Sequence, residues 1–88
     1  MRRYLIYVYG EVQGVFYRKT AQNHAQTQGL YGFARNQPDG SVYIEAEGPE
    51  DVLQQFLDWC RYGPPAARVD RLEVVEEEPY GYDSFTVY

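Results

Sequence analysis

The chain has 88 residues, which predicts one domain over 1–88 that buries only roughly 60 to 65% of its unfolded surface and has little packing to spare. A formal net charge of −5 excludes long-range attraction to nucleic acid, so any anion site must be local. The only cysteine, Cys60, excludes an internal disulfide, the first residues lack a signal peptide's long apolar core, and no apolar run approaches the ~20 residues that span a bilayer, so a soluble protein of a reducing cytosol is expected.

Arg3 to Tyr9 alternates Tyr4, Ile6 and Val8 with Leu5, Tyr7 and Tyr9, and reads as a central strand. Arg18 to Gln28 predicts a helix with Tyr17, Ala21 and Ala25 four apart and Gly29 as its stop, its small residues letting it lie close to a sheet. Leu30 to Asn36 and Ser41 to Glu47 predict a hairpin around Gln37-Pro38-Asp39-Gly40. In its second strand Val42, Ile44 and Ala46 take a buried face, and Tyr43, Glu45 and Glu47 a wet one. Gly48 as N-cap and Pro49 at the first helical position open a second helix whose apolar stripe is Val52, Leu53, Phe56, Leu57 and Cys60. Arg68 to Val75 reads as a strand whose alternation slips between Val69 and Leu72, as at a bulge, and Glu76-Glu77-Glu78 as a solvated face. Phe85 and Val87 give a short final strand. The order strand, helix, strand, strand, helix, strand predicts an α+β, ferredoxin-like βαββαβ sandwich, with an antiparallel sheet, both helices on one face and an extra C-terminal strand. Tyr7, Tyr9, Tyr43, Glu45 and Glu47 are then left on the other face.

Between the first strand and first helix lies Gly10-Glu11-Val12-Gln13-Gly14-Val15-Phe16-Tyr17-Arg18. A turn with glycines at both ends lets backbone N–H groups point inward, and the following helix adds its unpaired first-turn N–H groups and positive dipole end, an arrangement suited to phosphate. Arg18 can close on the same anion with a planar fork of donors. A guanidinium about 4 Å from such an anion contributes on the order of 4 kcal/mol at an effective dielectric of 20, enough to offset the diffuse repulsion of the acidic chain. The same spacing also suits an ordinary strand-to-helix connection with Arg18 on a helix surface. Asn36 likewise has two readings. It can initiate the Pro-Asp-Gly turn, or, being in phase with Leu30, Gly32 and Ala34, it can face the glycine-containing turn from the end of its strand.

No other catalytic set assembles. Cys60 falls within the apolar stripe and reads as core. His24 has no carboxylate at helical spacing, and Glu45, Glu47 and Glu50 lack a ligand-loop pattern, so no metal and no cofactor are expected. The tyrosines and Gly32-Phe33-Ala34 invite comparison with RNA-binding sheets, but Arg35 stands where the next aromatic belongs and Glu45 and Glu47 oppose a phosphate backbone.

Gly10-x-Val12-Gln13-Gly14-Val15-x-Tyr17-Arg18, together with Gly32-Phe33-Ala34-Arg35-Asn36-x-x-Asp39-Gly40, resembles the signature pair of the acylphosphatases, and Gly48-Pro49-Glu50 and Ala67-Arg68-Val69-Asp70 extend the likeness over nearly the full chain. The resemblance implies metal-independent hydrolysis of carboxyl-phosphate mixed anhydrides (EC 3.6.1.7). Arg18 and the backbone amides of Val12, Gln13, Gly14, Val15, Phe16, Tyr17 and Arg18 would bind the phosphoryl group, and Asn36 would orient the attacking water. It also implies a small acyl phosphate as substrate, inorganic phosphate or sulfate as product or mimic, and a cytoplasmic monomer without nucleic-acid or membrane partners. Tyr17 stands where the family usually has Phe, its hydroxyl free to face solvent or the site, and Gln37 where a smaller residue such as Thr is expected. A non-catalytic anion-binding module and a carbamoyl-phosphate-processing domain of a larger chain remain as alternatives.

Overall fold

A computed structural model describes residues 1–88. The elements are β1 (Arg2–Glu11), α1 (Tyr17–Thr27), β2 (Tyr31–Asn36), β3 (Val42–Gly48), α2 (Glu50–Cys60), β4 (Arg68–Glu77) and β5 (Phe85–Val87). They form a five-stranded sheet in the order β4-β1-β3-β2-β5, the ferredoxin-like arrangement. Its first four strands are antiparallel, whereas β5 joins β2 in parallel, so the sheet is mixed rather than wholly antiparallel.

One face of the sheet makes the core. Tyr4, Ile6, Val8, Ala34, Val42, Ile44 and Ala46 pack there with Ala21 and Ala25 of α1 and Leu53, Phe56, Leu57 and Cys60 of α2. Burying each of the larger aliphatic or aromatic side chains contributes about 1.5–3 kcal/mol, which is how a short chain without a disulfide stays folded. Ala21 and Ala25 are fully buried because their methyl groups let α1 approach the sheet backbone closely. The slip in β4 is a bulge: Tyr9 pairs with Arg71 but Gly10 with Val69, leaving Asp70 as the extra residue. Pro49, not Gly48, is the N-cap of α2, with extended backbone at φ −62° and ψ 144°, and Glu50 is the first helical residue.

The other face departs from the wet surface expected of it. Tyr43 and Glu47 are only 6% and 3% exposed. Residues 78–84 fold back across this face as a strap, and the Glu47 carboxylate accepts the N–H groups of Tyr80, Gly81 and Tyr82. Beside it Glu45 accepts from the hydroxyls of Tyr43 and Tyr82 and from Arg3 Nη1 at 2.9 Å. Burial alone would raise the Glu45 pKa, but these three donors outweigh it and hold the carboxyl below its usual value, while burial and the nearby carboxylate push Tyr82 up to about 12. Period-two alternation places residues on a face, but it carries no information about a distant segment that later covers that face.

Candidate active site

The connection from β1 to α1 is anchored at both ends in the core, since Val12 and Tyr17 are each 1% exposed. Gln13, Gly14 and Phe16 between them stand out in solvent. The arch requires two left-handed residues, Gly14 at φ 75° and Phe16 at φ 64°. Glycine adopts this conformation freely, whereas at Phe16 it costs roughly 1–2 kcal/mol, a strain kept at the mouth of the site by its anchored neighbours. The N–H groups of Gln13, Gly14, Val15 and Phe16 donate to no backbone carbonyl of the fold. α1 then begins with no acidic residue in its first turn, so the positive end of its dipole is not neutralised from within.

Gly10 serves a different purpose from the one its place in the motif implies. It lies inside β1, and a Cβ there would sit 2.1 Å from the Arg68 carbonyl oxygen, so its missing side chain lets β1 and β4 close at the bulge. Gly14 alone gives the arch its glycine freedom.

Val12, Gly14, Phe16, Tyr17, Arg18, Lys19 and Val87 wall a concavity of about 250 Å³. Arg18, near the start of α1, donates through Nη1 to the main-chain oxygen of Tyr88, and the Tyr88 N–H donates to the Ala34 carbonyl at 3.0 Å, two residues before Asn36 on β2. Asn36 is exposed, pairs with Val42 and shares the phase of buried Ala34, at the end of β2. It does not wall the concavity; the arch is instead tied to its hairpin by Gln13, whose Nε2 donates to the carbonyls of Gln37 at 2.8 Å and Ser41 at 2.9 Å. That turn is stiffened by Asp39, which accepts the Ser41 hydroxyl and N–H and is held below the usual carboxylate range by them.

Tyr17's hydroxyl faces neither solvent nor site. It donates to the Cys60 carbonyl at 2.6 Å, locking α1 to the end of α2, and burial pushes its pKa far up. The Cys60 thiol is fully buried and pushed up to about 12, so it is a protonated core group. His24 stacks on Trp59 at 4.6 Å. No group of three or more His, Cys, Asp or Glu side chains converges.

Sequence reasoning missed Lys19, Val87 and Tyr88, and gave Gln13 no task beyond its amide. Lys19 follows Arg18 and was legible only as a second cation in the same helical turn. Nothing local to Val87 or Tyr88 signals a neighbour 70 residues away in sequence.

The fold and this arch define a small ferredoxin-like domain with free backbone donors, an unneutralised helix start and an arginine on one concavity. Residues 4–87 match the acylphosphatase family model. An acylphosphatase of Gloeobacter violaceus is 48% identical over 82 residues, covering 93% of this chain and 88% of that one. The crystal structure of acylphosphatase from Bacillus subtilis superposes with a TM-score of 0.97 at 38% identity, over 100% of this chain and 99% of that one. Full-length HypF in its phosphate- and nucleotide-bound form matches with a TM-score of 0.87 at 30% identity, over 99% of this chain but 12% of its own. The chain belongs to the acylphosphatase family. It is an enzyme, and its reaction is hydrolysis of a small-molecule acyl phosphate to a carboxylate and inorganic phosphate.

Proposed function

We propose that the concavity under the Val12–Phe16 arch performs this hydrolysis, with Arg18 and the backbone amides of Val12 to Arg18 holding the phosphoryl group and Asn36 orienting the attacking water. The observation that carries the reading is the run of four successive N–H groups, Gln13 to Phe16, without a backbone acceptor, beside a helix start that holds Arg18 and no carboxylate. With no backbone acceptor in the fold, these groups are free to turn to an anion, and a phosphoryl group supplies several acceptors at once.

In this mechanism water attacks phosphorus, the bond from phosphorus to the bridging oxygen breaks, and that oxygen leaves with its electron pair on the carboxylate. The proton released by water ends on the inorganic phosphate. Carboxylate is a weakly basic leaving group, so positioning and charge stabilisation suffice without a strong base. The fixed donors meet charge as it redistributes over the phosphoryl oxygens, without having to reorganise. The Asn36 side-chain carbonyl accepts a hydrogen bond from the water and turns its lone pair toward phosphorus. Gln13 sets the distance between the two parts by tying the arch to the hairpin.

The same reading takes the protein to be a cytoplasmic monomer that binds no nucleic acid; the net charge of −5 disfavours nucleic acid, and a single cysteine kept as a buried thiol suits a reducing compartment. No helix is long and apolar enough to cross a membrane.

The test is hydrolysis of benzoyl phosphate in excess EDTA by the unmodified protein, Arg18→Gln and Asn36→Ala. Arg18→Gln is expected to weaken inhibition by phosphate and lower kcat/KM about 100- to 1,000-fold, as loss of one charge-stabilising donor does. Asn36→Ala is expected to lower kcat with KM nearly unchanged. Near-normal turnover by the Arg18 variant would remove the site assignment.

A further inference from the structure

Glu47 is a buried carboxylate with no cation paired to it, on the sheet face opposite the site. Its Oε2 accepts the Tyr80 N–H at 2.7 Å, its Oε1 the Tyr82 N–H at 2.6 Å, and both oxygens share the Gly81 N–H at 3.0 and 3.3 Å. Burying an ion is costly, and these charge-assisted bonds offset that cost only while the strap keeps this one conformation. The carboxylate therefore fixes the position of the chain at Tyr82.

Only Asp83 and Ser84 separate that point from β5, and the Ser84 carbonyl already accepts the Gly32 N–H at 2.8 Å. β5 has three residue pairs with β2, Gly32 with Phe85, Phe33 with Thr86 and Ala34 with Val87, too few to set their own register. Slipping by one residue would turn Val87 away from the concavity and remove the Tyr88 main-chain oxygen from Arg18. α1 reads the register along one line of residues four apart: Gln26 and Gln22 donate to the Phe85 carbonyl at 3.5 and 3.0 Å, and Arg18 donates to the main-chain oxygen of Tyr88.

We propose that Glu47 is a positioning residue for Arg18, acting through the strap and the register of β5. This rests on the assignment of Arg18 to phosphoryl binding. Held by the Tyr88 main-chain oxygen at one nitrogen, the guanidinium keeps its remaining donors aimed into the concavity; with the strap released, Arg18 samples other rotamers and the anion loses an oriented partner.

The experiment compares Glu47→Gln with the unmodified protein, well below both melting temperatures, for KM, kcat and the inhibition constant of inorganic phosphate. KM and the phosphate constant are expected to rise together by about tenfold, in keeping with small misplacements of a positioned group, with a smaller change in kcat and faster amide exchange at residues 80–82 and 85–88. A folded Glu47→Gln with an unchanged phosphate constant and only a lower Tm would overturn the proposal, because that is what a merely structural group does. Glu47→Asp, which keeps the charge but is one methylene too short to reach all three donors, is expected to shift the constant in the same direction by less. It serves alone if Glu47→Gln does not fold, and an unchanged constant there is equally decisive against the proposal. In an Arg18→Ala background, Glu47→Gln is expected to add nothing to the loss of phosphate affinity, and an additive loss would show that Glu47 does not act through Arg18. Arg18→Ala with normal phosphate affinity would defeat the Arg18 assignment itself, a distinct result.

Discussion

The two helices begin in opposite ways. α2 follows β3 directly, is capped by Pro49, and carries Glu50 and Asp51 in its first turn, so its positive dipole end is neutralised by its own side chains. α1 follows a long arch, is entered through a left-handed Phe16, and has Arg18 and Lys19 where acidic residues would be stabilising. Each unfavourable charge there costs about 0.3–1 kcal/mol of helix stability. One junction is neutralised by its own side chains, and the other leaves a positive, donor-rich end without an internal partner. Under the proposed assignment, a substrate anion supplies at α1 the negative charge that Glu50 and Asp51 supply at α2.

Breaking that contrast gives a graded set of outcomes. The largest is at the open junction, where Arg18→Gln should lose about 100- to 1,000-fold in kcat/KM, whereas Glu50→Gln at the closed junction should leave kcat/KM unchanged and cost about 0.3–1 kcal/mol in urea unfolding. Next is the arch itself. Gly14→Ala has open space for its methyl group but must hold φ 75°, so a loss of about 1–2 kcal/mol is expected from strain alone, together with weaker phosphate inhibition. Making the open junction resemble the closed one should trade function for stability: Lys19→Glu is expected to raise stability by about 0.3–1 kcal/mol and to raise KM for acyl phosphate severalfold, as thermal melts and steady-state kinetics would show. If stability rose while KM stayed constant, the open helix start would not be serving the anion.

The smallest effect concerns a carboxylate stabilised by side chains rather than by a helix end. Glu45 has a depressed folded pKa, so its contribution to stability is complete above its unfolded value of about 4 and disappears as pH falls through the lower folded value. Glu45→Gln should therefore flatten the acid side of the Tm-versus-pH curve below about pH 4, while the unmodified protein loses stability there.

Local pattern carried much of this molecule. The apolar stripe of α2, the alternation of β1 and β3, the hairpin at Pro38-Asp39-Gly40 and the bulge within 69–72 all appear where residue spacing put them. The phase that aligns Asn36 with Ala34 was legible for the same reason, because a strand's side chains alternate strictly. The role of Gly10 was not, since its requirement comes from the Arg68 carbonyl of another strand. Nor was the destination of the Tyr17 hydroxyl, whose acceptor belongs to the end of the other helix.

The sequence by itself determined the element order, the core stripe and the arch with Arg18 behind it, because these depend on spacings of a few residues that backbone geometry converts directly into faces and turns, while its signature pair carried the resemblance to the acylphosphatase family. Only the tertiary structure decided that the open sheet face is covered, that β5 runs parallel to β2, and that Tyr88 bridges Arg18 to the strand bearing Asn36. Those contacts join residues tens of positions apart, and their stability comes from donors and acceptors that meet only after the chain has folded back on itself, so no local period encodes them.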